Sequence, residues 1–153
     1  MNDTTLQEKL REIFEKMLSI AGFDFEKVSC REEQPGLFRC EVFTKDAGLL
    51  IGERGTYLSA WEQVLKAMAT KALRQPAQII VDINNYRAQK DEELREMAKK
   101  AARQAAISKK PIALPPMNAY ERKVIHLELA LRPDVMTESE GEEPNRRVVV
   151  KPI

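Results

Sequence analysis

The sequence is poor in the residue types from which compact catalytic and metal sites are built. Its 153 residues include two cysteines, one histidine and one tryptophan. Two cysteines do not make a disulfide framework, and with a single histidine they are too few for a structural zinc site. A lone histidine with no nucleophile pair near it also argues against a Ser-His-Asp triad. We therefore expect no enzyme activity, no cofactor and no metal.

The chain also lacks long apolar segments. No apolar run approaches the ~20 residues that a membrane span needs. The first residues do not combine the basic and apolar stretches of a secretion signal. We therefore expect a cytoplasmic protein whose partners do not include a membrane.

An excess of charge of one sign is also missing. The chain has 25 basic and 24 acidic side chains, which gives a net charge of +1. Residues 1–83 carry 11 basic and 13 acidic groups, a net charge of −2, and residues 84–153 carry 14 and 11, a net charge of +3. This balance excludes a uniformly basic nucleic-acid coat, so a site for a polyanion must be a local patch.

Hydrophobic periodicity and turn signals divide the chain into two groups of elements at Asn84-Asn85. The first group reads α-β-β-α-α-β, with helices at 4–20, 47–51 and 56–73 and strands at 25–33, 37–43 and 77–83. The second group reads α-β-α-β-β, with helices at 86–107 and 118–131 and strands at 112–114, 135–139 and 146–151. The predicted fold class is α+β, with one small domain at 1–83 and another at 84–153.

The first two predicted strands form a hairpin around Gln34-Pro35-Gly36. A turn centred on Pro35 places Cys30 directly opposite Cys40 on the neighbouring strand. A cytoplasmic compartment keeps thiols reduced, so we expect these two residues to be small reduced core side chains.

Apolar stripes on the helices beside the two candidate sites predict which helix faces are buried. In the helix at 56–73 the stripe contains Leu58, Trp61, Leu65, Met68 and Ala72. In the helix at 118–131 it contains Tyr120, Val124, Leu127 and Leu131. The second stripe predicts that Arg122 and His126 lie on the opposite face of their helix, in solvent.

A Gly-x-x-Gly turn at Gly52-Glu53-Arg54-Gly55 separates two predicted helices. Glycine permits a sharp turn and the close approach of another backbone. The helix that follows presents free N–H groups and a partial positive charge at its first turn, which favours phosphate. Arg54 adds a cation, whereas Glu53 places an acid beside the same path. The turn lacks the Lys-Ser/Thr of a nucleotide P-loop and the third glycine of a dinucleotide fold, so a ligand-free turn is the remaining alternative.

Arg122 and His126 are four residues apart and therefore share one helix face. Arginine offers a bidentate fork to phosphate, and histidine offers an N–H donor and a ring for stacking. Lys123 beside them, with Arg146 and Arg147 on the last strand, extends a basic surface. The alternative is an exposed pair of side chains that has no binding role.

The order of elements in residues 4–83 resembles the prokaryotic type of KH domain, with Ile51-Gly52-Glu53-Arg54-Gly55 at the position of that family's loop. The resemblance implies that Gly52, Arg54 and Gly55 clamp the backbone of a single strand. It also implies an apolar groove for the bases, lined by Leu49, Ile51 and the third strand.

The segment from Met117 to His126 resembles the R-3-H domain, which is named for an Arg, a three-residue gap and a His. The tail from Ser139 to Val150 and the segment Asn85-Tyr86-Arg87 resemble bacterial Jag-type proteins, in which a KH domain is followed by an R-3-H domain. The resemblance adds Arg87 to the expected nucleic-acid contacts. Many Jag-type proteins carry a further N-terminal domain, which we expect this chain to lack, so no role of that domain is carried over.

The function that these patterns predict is non-catalytic binding of single-stranded nucleic acid through its phosphate backbone. RNA is the expected partner, and single-stranded DNA is left open. The alternative is an adaptor that uses the same surfaces to bind partner proteins or a second copy of itself.

Overall fold

The chain divides into two compact units between Arg87 and Ala88. The computed structural model describes residues 3–153, so Met1 and Asn2, the first residues of the predicted first domain, lie outside the described residues. Helices and two small sheets are mixed along the chain, which confirms the predicted α+β class. The division into functional domains at 1–83 and 84–153 stays a prediction. Within residues 3–153, no helix is long and apolar enough to cross a membrane.

The first unit contains one long helix, a hairpin, a helix-turn-helix segment and a third strand. Its elements are α1 (Asp3–Ile20), β1 (Lys27–Gln34), β2 (Leu37–Phe43), α2 (Ala47–Ile51), a 3-10 turn (Glu53–Gly55), α3 (Thr56–Leu73) and β3 (Gln78–Ile83). The sheet has the order β1-β2-β3, with β1 and β2 antiparallel and β2 and β3 parallel. The core lies between this sheet and α1 and α3, around Leu10, Phe14, Leu65, Val42 and Val81.

The hairpin register confirms that Cys30 and Cys40 face each other, with their Cα atoms 4.1 Å apart. Directly opposed residues of neighbouring antiparallel strands point to the same face of the sheet, which brings their side chains into contact. The structure brings the two sulfurs into contact, where a disulfide can form, and the expectation of two reduced thiols stays a prediction.

The buried face of α3 differs in part from the predicted stripe. Leu58, Leu65 and Ala69 are buried, whereas Met68 is 42% exposed. Trp61 is half-buried, and its ring meets that of Phe23 edge-on, with the centroids 5.9 Å apart. Ala69 is therefore on the buried face of α3, whereas Met68 and Ala72 of the predicted stripe are exposed.

The second unit is built on a long helix, α4 (Tyr86–Ser108), which begins just before the unit boundary. It continues through β4 (Ile112–Ala113), α5 (Ala119–Leu129), β5 (Val135–Glu140) and β6 (Arg147–Pro152). These strands form an antiparallel sheet of order β4-β6-β5. Alanines on α4 permit close packing, and the core gathers around Leu94, Ala98, Ile125, Val148 and Val150.

Candidate functional site

The turn between α2 and α3 takes a backbone conformation that its two glycines permit. Gly52 has φ 72° and ψ 176°, a region that is essentially reserved for glycine, and Gly55 has φ 74°. A Cβ on Gly52 would lie 2.6 Å from the ring of Tyr57, so this position also lacks room for a side chain. Gly55 is the N-cap of α3 and lies against the Tyr86 ring. The glycines therefore fix the shape of the turn.

Replacing Gly52 with alanine is expected to lower the free energy of unfolding by ~1–3 kcal/mol, because the new methyl group meets Tyr57 and the backbone conformation is strained. Urea denaturation followed by circular dichroism measures this change. Gly48→Ala is the matched control, since a Cβ there contacts nothing within 4 Å and α2 gains a better helix former. Equal stability of the two variants would contradict the steric account of Gly52.

The middle of the turn faces solvent. Glu53 and Arg54 are both exposed, and Arg54 has a positive φ of 55°. Because the N-cap of α3 is a glycine, the side chain of the cap residue does not occupy the first N–H groups of the helix. The turn therefore exposes one cation and one anion next to the N-terminus of α3.

Leu49 and Ile51 flank the turn in different environments. Leu49 is 67% exposed and lines an apolar pocket of about 360 Å³ with Phe23, Tyr57, Ala60, Trp61 and Val64. Ile51 is half-buried and packs against the core of the first unit. All the residues that line this pocket come from α2, α3 and the segment after α1. The pocket thus differs from the expected groove between Leu49 and the third strand.

Arg87 is held against the free edge of β3. Its Nε donates to the carbonyl of Val81 at 2.9 Å, and its Nη2 donates to Glu62 Oε2 at 2.7 Å. The same Glu62 oxygen accepts from the Val81 N–H at 2.9 Å. Arg87 therefore helps to cover an edge strand, and its expected contact with nucleic acid stays a prediction.

Helix α5 begins with a capping box. The Asn118 side chain accepts from the Glu121 N–H, and the Glu121 carboxylate accepts from the Asn118 N–H, each at 2.9 Å. This exchange satisfies two of the backbone donors at the helix start. It also turns Glu121 inward, so a charged residue lies on the buried face of the helix.

The predicted orientation of α5 is wrong. Arg122, Ile125 and Leu129 are buried, whereas Tyr120, Leu127 and Leu131 are 60%, 65% and 97% exposed. The predicted stripe and the observed buried stripe both have helical spacing, so periodicity alone does not indicate which of them is buried. The buried stripe was missed because Glu121 and Arg122 occupy two of its positions, and both are satisfied by hydrogen bonds.

Arg122 is anchored at one end and meets an anion at the other. Its Nη1 donates to the Met117 carbonyl at 2.7 Å, and its Nη2 lies 2.7 Å from Glu143 Oε1. The Arg122 side chain is 10% exposed, whereas that of Glu143 is 57% exposed. The guanidinium is thus held in place with one edge turned toward an acidic group at the surface.

His126, one turn after Arg122, bridges to β5 through both ring nitrogens. Nδ1 lies 2.7 Å from Thr137 Oγ1, and Nε2 lies 2.8 Å from Ser139 Oγ. The sequence reasoning missed both hydroxyls. The available signal was their spacing, since residues 137 and 139 of one strand point to the same side. The two contacts fix the ring and leave the half-buried His126 beside the Arg122 position.

Burial, and to a smaller degree the charge of Arg122, lowers the pKa of His126 below its ordinary value of 6.5. The unfolded chain therefore takes up a proton near pH 6.5 that the folded chain takes up only at lower pH. We expect the free energy of unfolding to decrease as the pH falls below 6.5, until the folded ring is also protonated.

The measurement is denaturant unfolding between about pH 7.5 and pH 5.5, where histidine is the titrating side-chain type. His126 is the only histidine of the chain, so His126→Gln is a clean control that keeps a hydrogen-bonding side chain. The wild type should lose more stability over this range than the variant. Parallel curves for the two proteins would show that His126 does not carry the effect.

The remaining predicted cations of the second unit differ in their exposure and in their hydrogen bonds. Lys123 and Arg147 are exposed. Arg146 is partly exposed, and its Nη1 donates to the Gly141 carbonyl at 2.7 Å. Lys123 and Arg147 therefore remain available for an anion, whereas Arg146 also holds the hairpin that follows β5.

Comparison with known proteins identifies the second half of the chain. Residues 92–152 match the R-3-H domain family, which confirms that part of the predicted resemblance. The matched segment includes Arg122, His126, Thr137, Ser139 and Glu143. The KH resemblance of the first half stays a prediction, although its element order is the one observed.

Several curated bacterial proteins are similar to this chain. An RNA-binding protein KhpB from Clostridium symbiosum is 31% identical over 146 residues, which are 95% of this chain and 66% of that protein. The protein of that name from Bacillus subtilis is 36% identical over 121 residues, 78% of this chain and 58% of that protein. The counterpart from Lactiplantibacillus plantarum is 35% identical over 107 residues, 70% of this chain and 33% of that protein. The chain thus spans between about a third and two thirds of the length of these relatives.

Proposed function

Because the chain carries an R-3-H domain at residues 92–152 and is similar to proteins named for RNA binding, we propose that it binds single-stranded RNA. The protein binds the phosphate backbone at two places and catalyses no reaction on it. One is the turn around Gly52 and Gly55, and the other is the α5 surface around Arg122 and His126.

The observation that carries this proposal is the Arg122 guanidinium and its contact with an acidic oxygen. Nη2 lies 2.7 Å from the Glu143 carboxylate while Nη1 is anchored to the Met117 carbonyl. A fixed guanidinium that already donates to one anionic oxygen has the geometry to donate to a phosphate oxygen. His126, held by two hydroxyls, adds a ring one turn further along α5.

The first unit supplies the second grip. Gly52 and Gly55 fix the shape of the turn, and the N-terminus of α3 favours negative charge. Arg54 is the exposed cation of this turn, and Glu53 opposes it. This grip is therefore the weaker of the two. Two linked weak sites raise the overall affinity through effective concentration.

The test is a fluorescence anisotropy titration of a labelled single-stranded RNA of about 20 nucleotides, a length that exceeds the footprint of one small domain. The proteins compared are the wild type and a variant in which both Arg122 and His126 are changed. A single-stranded DNA of the same sequence and a blunt RNA duplex are titrated beside it, which separates RNA from DNA and single from double strands.

An adaptor function is favoured by a different observation, the exposed apolar surface of α2 and α3. Leu49, Tyr57 and Val64 are 67%, 58% and 51% exposed, and they line one pocket with Phe23 and Trp61. Contiguous exposed apolar surface of this kind is typical of protein-binding sites. Apolar contact depends little on salt, so the salt response of binding distinguishes this function from backbone recognition.

A further inference from the structure

The hairpin tip between β5 and β6 places an acid on the candidate phosphate site. Glu143 Oε1 lies 2.7 Å from Arg122 Nη2, whose other terminal nitrogen is engaged with the Met117 carbonyl. The carboxylate thus takes the outward-facing donor of the guanidinium. Carboxylate and phosphate oxygens are both charged acceptors for a guanidinium N–H, so they compete for the position at Nη2.

Arg122 and Glu143 differ in how far each side chain depends on their ion pair for its position. Arg122 is 10% exposed and remains anchored by Met117, so it stays in place without its partner. Glu143 is 57% exposed, so its carboxylate can return to water at small cost. The pair is therefore built to open by movement of Glu143.

The hairpin tip does not depend on this carboxylate for its own shape. The Asn145 N–H donates to the Glu142 carbonyl at 2.8 Å, and Arg146 Nη1 donates to the Gly141 carbonyl at 2.7 Å. These bonds close the tip through backbone carbonyls. Release of the Glu143 side chain thus leaves the tip folded.

We propose that Glu143 is a built-in competitor for the Arg122 site, which an incoming RNA phosphate must displace. This inference rests on the proposed function and adds a residue that sets the affinity of that site. Competition of this kind reduces the apparent affinity by the fraction of molecules in which the site is free. It favours ligands that present a phosphate strongly enough to replace a tethered carboxylate.

The experiment compares Glu143→Gln with Glu142→Gln in the full chain. Glutamine keeps the size of the side chain and its acceptor oxygen. Glu142 is the matched control because it is the exposed neighbour and has no ion pair within residues 3–153. Both variants remove one negative charge from the tip, so their difference isolates the contact with Arg122.

We expect Glu143→Gln to bind single-stranded RNA about threefold to tenfold more tightly than Glu142→Gln. This range corresponds to an Arg122 site that is free of Glu143 in about a tenth to a third of the molecules that keep Glu143. A second readout does not need RNA. Inorganic phosphate, compared with chloride at equal ionic strength, should raise the Tm of Glu143→Gln more than that of Glu142→Gln.

The outcomes separate the two proposals. Equal RNA affinity and equal phosphate response of the variants overturn the competitor role and leave the RNA site standing. Weaker RNA binding by Glu143→Gln also overturns it, because Glu143 would then support the site. If the wild type and both variants fail to bind RNA, the proposed function is wrong, and the phosphate response still decides the competition.

Discussion

The variant with both Arg122 and His126 replaced by alanine is expected to bind single-stranded RNA about 30-fold more weakly than the wild type. The change removes a charge-assisted bond to phosphate and the ring beside it, a loss of ~2 kcal/mol. Since phosphate contacts carry little sequence information, the loss should be similar for RNAs of different sequence. Fluorescence anisotropy at low salt measures it.

Arg132→Ala is the control for charge. Arg132 lies in the same unit, but its guanidinium is paired with Asp134 through two hydrogen bonds of 2.9 and 2.6 Å. Its replacement removes the same positive charge and should change the RNA affinity by less than about twofold. A similar loss in the two proteins would show that general charge, not the α5 site, is responsible.

Loss of folding must be separated from loss of binding, because Arg122 is buried. Arg122→Lys keeps the charge and the length of the side chain but not the bidentate fork. It should fold with a near wild-type circular dichroism spectrum and still bind several-fold more weakly. Wild-type affinity of this folded variant would remove the fork geometry from the proposal.

Element bounds could be predicted to within two residues because turn residues mark many of them. The predicted bounds of β2, α2 and α3 are those observed, since Gly36, Gly52, Gly55 and Pro76 interrupt the apolar pattern at their ends. The Cys30–Cys40 register follows from the turn at Pro35 for the same reason. Local backbone chemistry therefore carries most of the fold.

The face of α5 could not be predicted because polar residues on the buried side depend on distant partners. The inward position of Arg122 is compensated by the Met117 carbonyl and by Glu143, 21 positions further along the chain. A helical wheel scores such a position as exposed, since it counts hydropathy without hydrogen bonds. The Arg-x-x-x-His spacing indicated the right helix but not its orientation.

The partners of the candidate site were also beyond the sequence pattern. Thr137, Ser139 and Glu143 meet α5 through the packing of the β5–β6 hairpin against it. Their residue types are ordinary for a strand and a hairpin tip, and the spacing of Thr137 and Ser139 indicates a shared strand face without indicating which helix that face meets. The spacing of Arg122 and His126 therefore predicts the helix of the site, whereas only tertiary structure brings the β5–β6 hairpin close to that helix.

Raising the salt concentration from about 50 mM to 200 mM is expected to weaken RNA binding by the wild type about 50-fold. Each cation that neutralises a phosphate releases counterions, and for single strands the slope of log affinity against log salt is about −0.7 per contact. Among the predicted site residues, the exposed or site-facing cations are Arg54, Arg122, Lys123 and Arg147, which gives roughly four contacts and a slope near −3.

The slope also tells the two candidate functions apart. The variant lacking Arg122 and His126 should show a slope shallower by about 0.7, since one arginine contact is lost. Arg132→Ala should keep the wild-type slope, because its charge is compensated by Asp134. A nearly flat response of the wild type would mean that phosphates are not held at these cations. The apolar surface of Leu49, Tyr57 and Val64 would then become the better candidate for the binding function.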